Sequence, residues 1–170
     1  MDDRGIVGRQ LGRPPRAFRR VVVHCPFGLP AVTEQDPYDA RGEPFPTTYY
    51  LTCPALVAAV SRLEAEGGVE RWSDAIACDT ELASSLAQAT EAQRELRRAL
   101  AGARRGPDDG ASLDLGIAGS RVPGRLKCLH AHVAFALARP GYVLGERVLS
   151  ELGSPWPEDG CCSEALRDPS

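Results

Sequence analysis

TTYYLTCPALVAAVSRLEAEGG, residues 47–68, changes its period halfway along. TTYYLT is dense in β-branched and aromatic residues and reads as a strand over 47–52. Cys53-Pro54 ends it, and Pro54 suits the first position of a helix. Beyond it Leu56, Val60 and Leu63 recur on one stripe until Gly67-Gly68 stops the pattern. Upstream, residues 3–12 read as one short helix ended by RPPR, and FRRVVVH (18–24) as a strand. CPFGLPAVTEQDPYDARGEPFP (25–46) holds five prolines, so it reads as turn and extended chain with a short strand at AVTEQ.

Downstream the chain is helical. VERWSDAIAC (69–78) makes a short helix, and Asp79 or Thr80 caps a long amphipathic one carrying Leu82, Leu86, Leu96 and Leu100. Residues 103–119 or thereabouts form a flexible connector, the stretch most disposed to disorder. Pro123 is expected to open a helix through GRLKCLHAHVAFALARPG, and YVLGERVLSELG is the last helix. Strands followed by a run of helices predict an α+β fold: a mainly helical single domain with a small N-terminal sheet and a proline-rich loop. The expected organisation is a basic arm over 1–17, the domain over 18–157, and an irregular tail over 158–170.

Composition narrows the function classes. A hydrophobic fraction of 43% with 25% charged residues is that of a globular chain rather than a disordered one. Runs such as HVAFALA fall short of the roughly 20 apolar residues of a membrane span, and the N-terminus lacks a signal peptide's apolar segment. The expected location is cytoplasmic, with no membrane partner. A net charge of −3 gives no general pull toward nucleic acid. Residues 1–20 nevertheless carry Arg4, Arg9, Arg13, Arg16, Arg19 and Arg20 against Asp2 and Asp3, an arm that could meet RNA, a phosphate or an acidic protein partner. The simpler reading is a solvated basic segment. No P-loop, G-x-G-x-x-G or H-E-x-x-H occurs.

The cysteines carry the chemical signal. They stand at 25, 53, 78, 128, 161 and 162, and in a reducing compartment they point to a metal or a reactive thiol before disulfides. No C-x-x-C pair is present, which sets the chain apart from zinc ribbons and fingers. Two strands end at Cys-Pro, at Cys25 and Cys53. On an ideal helix Leu126, Leu129, His130, Val133, Ala136 and Leu137 share one side, and Cys128, His132 and Phe135 the other. Apolar character on both sides predicts a helix buried from two directions. Cys128 and His132, four apart, are within reach of one ion, whereas Cys128 and His130 are so only if Cys128 precedes the helix. The expected centre joins Cys25, Cys53 and Cys128 with a fourth ligand from His130, His132, Cys161 or Cys162. Thiolates with imidazole favour zinc or an iron–sulfur cluster over magnesium or calcium. The alternative is that these are merely buried or adventitious cysteines, and Cys78 in AIAC reads as inert. A Cys128–His132 nucleophile lacks an orienting third group in the sequence.

RQLGRPPR, HCPFGLPAV, PFPTTYYLTCP and RLKCLHAH, in that order, resemble the bacterial family known as domain of unknown function 501, common in actinobacteria. The likeness runs over about residues 5–157. It implies a Cys-Pro-x-Gly motif at Cys25, Pro26 and Gly28, a Cys-or-His position at Cys53, and Lys-Cys-Leu-His at Lys127, Cys128, Leu129 and His130. A Cys/His alternation favours zinc over iron–sulfur, and the motif favours His130 over His132. The family's gene neighbours, enolase, a septum-formation initiator and an exopolyphosphatase, hint at cell division or polyphosphate metabolism. Two readings follow: a binding or regulatory protein with a structural metal site, or a metalloenzyme with an open position on a cysteine-held zinc or iron–sulfur centre.

Overall fold

The computed structural model describes residues 2–154 and 156–161. Helix α1 (Asp3–Leu11) is capped by the Asp2 carboxylate, which accepts from Gly5 N at 2.9 Å, and ends at Gly12 in the left-handed region. Three antiparallel strands follow in the order β1 (Phe18–His24), β2 (Pro30–Gln35), β3 (Tyr49–Leu51). The β1–β2 hairpin closes through Cys25 N to Leu29 O at 2.8 Å and Gly28 N to Cys25 O at 2.9 Å. Pro26 sets the first turn angle and Gly28, at φ 78°, takes the left-handed position that a side chain resists. The central strand β2 is buried along its whole length.

Helices follow the sheet along the chain. They are α2 (Pro54–Ala65), α3 (Gly68–Cys78), α4 (Thr80–Ala101), α5 (Leu129–Ala138) and α6 (Val143–Glu151). The fold is therefore α+β and mainly helical, as the order of strands and helices predicts. Pro54 does open α2, and Leu56, Val60 and Leu63 are its buried stripe. Helix α5 is the hub: it touches β3, α2 and α6, and Phe135 makes edge-on contacts with Tyr49 and Tyr142 at 5.5 and 5.4 Å between ring centres. Gly145 allows α6 to approach this closely, since a β-carbon there would lie 2.7 Å from Ala136 Cβ and 2.8 Å from His132 O.

Three expectations are corrected. The strand expected over 47–52 is regular only over Tyr49–Leu51, with single bonds from Gln35 N to Thr48 O and from Thr52 N to Ala31 O continuing its register at either end. The helix expected to open at Pro123 starts at Leu129, because residues 122–125 form a turn with Val122 O accepting from Arg125 N and Gly124 at φ 73°. The connector carries two 3-10 turns, Ala111–Asp114 and Ile117–Gly119, with Ser112, Leu113 and Ile117 buried.

A buried arginine holds that connector. The inward stripe of α4 runs Leu82, Leu86, Ala89 and then, unexpectedly, Gln93 and Arg97. The fully buried Arg97 guanidinium donates to Phe45 O at 3.0 Å and Ser112 O at 3.3 Å, tying the proline-rich loop to the connector. Burial brings it down to about 10, so it is still charged at neutral pH.

Candidate functional site

Each proposed ligand has a definite place. Cys25 follows the last residue of β1, and Cys53 and Cys128 are the N-caps of α2 and α5, neither making a side-chain cap bond. Cys25 and Cys53 hang on either side of β2, through Leu29 O and Ala31 O. Both are buried. Cys25 Sγ stands 3.6 Å from Cys161 Sγ, 136 residues further along the chain and also buried. That is far beyond the ~2.05 Å of a disulfide bond. Among the described residues no group of three or more His, Cys, Asp or Glu is gathered closely enough to hold a metal ion. Cys162 lies outside the described residues. Cys78, at the end of α3, is exposed.

Two of the remaining candidates, Cys128 and His130, line a cavity of about 640 Å³. Its walls are the ends of β3 and the starts of α2 and α5: Tyr49, Thr52, Pro54, Val57, Cys128 and His130 use both the strand and helix termini. Because Cys128 precedes α5, it escapes the helical spacing that would have separated it from His130, and both line this cavity. Burial pushes the Cys128 thiol up, helped by the nearby Glu64 carboxylate, against the N–H groups of Ala131 and His130. The resting group is a neutral thiol. The Thr52 hydroxyl is buried with no hydrogen-bond partner among the described residues.

The two histidines of α5 go to different sides. His132 is buried on the far side, its Nδ1 2.7 Å from Tyr142 OH, and it borders a second cavity of about 760 Å³ beside α4. Burial brings it down to about 4, so it is neutral. His130 is at the rim between α2 and α5. Its Nδ1 is 3.1 Å from Glu64 Oε1 and its Nε2 3.2 Å from Ser61 Oγ. Glu64 Oε1 also accepts from Leu129 N, the first free amide of α5, which explains how a helix with no side-chain cap of its own begins there. Ser61 and Glu64 are three apart on α2 and so share a face. Neither had a sequence signal, since both sit among the polar residues of an amphipathic helix.

The arginine arm is largely engaged. Arg16 pairs with Asp39 at 2.6 Å, Arg19 and Arg20 both reach Glu34, and Arg4 donates to Pro15 O and lies 5.6 Å from the Phe18 ring centre. No helix among the described residues is long and apolar enough to cross a membrane.

The family model described as "Protein of unknown function (DUF501)" matches residues 21–150. No curated protein and no solved structure matches the chain.

Proposed function

The chain belongs to the DUF501 family, and on that premise we propose that it is a binding or regulatory protein whose C-terminal segment is fastened to the sheet by a zinc ion. The observation that carries this reading is the contact between Cys25 and Cys161. Two thiolates bound at about 2.3 Å to a tetrahedral zinc stand about 3.8 Å apart, close to the 3.6 Å between these sulfurs. Two thiols brought together from opposite ends of the chain, in an apolar core that penalises an unpaired thiolate, suit a cation that ionises both. The Cys25-Pro26-Phe27-Gly28 turn is rigid enough to present one sulfur, as a metal ligand requires.

The test is elemental analysis of full-length protein purified anaerobically, with chelation followed by thermal unfolding. About one zinc per chain is expected, lost in Cys25→Ser and Cys161→Ser, with a lower Tm on chelation. Metal-free protein whose Tm ignores chelator overturns the reading. So does a mass 2 Da low under oxidation with no zinc bound, which would mark a Cys25–Cys161 disulfide, and so does iron with brown colour.

A further inference from the structure

The contacts of His130 raise a second question, independent of any metal. A carboxylate only accepts hydrogen bonds, so Glu64 fixes the proton of a neutral His130 on Nδ1. Nε2 is then bare and acts as acceptor, and the Ser61 hydroxyl must donate to it. This is the order serine–imidazole–carboxylate, with each link at hydrogen-bond distance and the carboxylate itself anchored by Leu129 N. His130 belongs to this chain of bonds and to the wall of the 640 Å³ cavity at once. Val57 and Ala58 of that wall lie one helical turn before Ser61 on α2.

We propose that Ser61, His130 and Glu64 form a hydrolytic site that cleaves small esters whose apolar acyl group sits in this cavity. The cavity suits such a group: Tyr49, Leu51, Val57 and Ala58 give apolar walls. Ser61 Oγ attacks the acyl carbon while His130 Nε2 takes its proton. The C–O bond to the alcohol breaks, and that alcohol leaves with the proton from Nε2. Water, deprotonated by the same nitrogen, then releases the acid and restores Ser61. Glu64 is a positioning residue, holding the tautomer and stabilising the imidazolium formed in each half. Cys128, a neutral thiol beside this site, is not its nucleophile.

Full-length protein treated with an alkyl fluorophosphonate and mapped by peptide mass spectrometry tests this, with p-nitrophenyl butyrate turnover as the second readout. A single adduct on Ser61 is expected. His130→Ala should slow labelling and turnover by about 100-fold or more, the scale of a lost general base. Glu64→Gln should lower kcat about 10-fold with KM little changed, since the imidazole loses the group that orients it. Ser61→Ala, an exposed position that leaves folding intact, should abolish both. No adduct on Ser61, or labelling at the same rate in His130→Ala, overturns the proposal.

Discussion

His130 and His132 are two residues apart on one helix, yet they occupy opposite environments. His132 is 1% exposed, bonded to a single buried tyrosine hydroxyl and held neutral. The His130 side chain is 27% exposed and lies between a carboxylate and a hydroxyl that both come from α2. The first arrangement serves packing: it fills the contact between α5 and α6 that Gly145 permits. The second spends surface position on a chain of hydrogen bonds beside a cavity. A helix buried on nearly every side can hold one histidine for structure and another for chemistry only if the two differ in what replaces water around them.

The largest expected effect tests the depth of that difference. His132→Ala should cost about 3 kcal/mol, because it opens a cavity in the core and strands the buried Tyr142 hydroxyl. His130→Ala should cost less than about 1 kcal/mol. Urea unfolding of both variants reads the contrast directly, and equal losses would break it.

Acid gives the next effect. His132 is lowered to about 4 in the fold against about 6.5 in the unfolded chain. The unfolded state therefore takes up a proton first as pH falls. Stability from this group is complete above about pH 6.5, declines between there and about pH 4, and is spent below that, a loss of up to roughly 3 kcal/mol. Asp39 beside Arg16 and Asp79 capping α4 at the Leu82 amide, two of the carboxylates that lie below their ordinary range, lose their contribution at lower pH than this window. His132→Gln should flatten the stability–pH curve between pH 6.5 and 4. A slope unchanged in that variant would show that the titrating group lies elsewhere.

Tyr142→Phe isolates the single bond on the structural side. It keeps the ring that meets Phe135 and removes only the hydroxyl partner of His132 Nδ1. The expected loss is about 1–2 kcal/mol by thermal or urea unfolding, smaller than His132→Ala because no cavity opens. An equal loss would mean that the hydrogen bond, rather than the volume, is what His132 contributes.

How much of this could be read from the sequence depends on whether the cause was local. The switch at Cys53-Pro54 is local, since proline chemistry and the stripe of Leu56, Val60 and Leu63 sit in one window, and α2 is where they indicate. The Cys25 hairpin is local too, through Pro26 and Gly28. A helix buried from two directions was also legible in α5. What was hidden is every polar group whose partner is distant in sequence. Arg97 continues the buried stripe of α4 because three residues far from it supply acceptors at the right depth. Periodicity alone gives such a position to a leucine. Glu64 is invisible for the same reason: its role is set by Leu129 and His130, more than sixty residues away. Cys25 stands 3.6 Å from Cys161, 136 residues away, a proximity that spacing along the chain cannot single out.

The smallest expected effect separates the two accounts of the surface histidine. Glu64→Gln should cost about 1 kcal/mol, because the start of α5 loses a charged acceptor at Leu129 N. Ser61→Ala should cost less than about 0.5 kcal/mol, since the residue is exposed and water replaces its one bond to His130. For fluorophosphonate labelling the order reverses, with Ser61→Ala losing everything and Glu64→Gln only a part. A structural cap requires stability and labelling to move together, whereas a reacting serine requires them to part. If Ser61→Ala instead cost as much stability as Glu64→Gln, the serine would be one more element of the cap of α5, and the two histidines would differ only in depth.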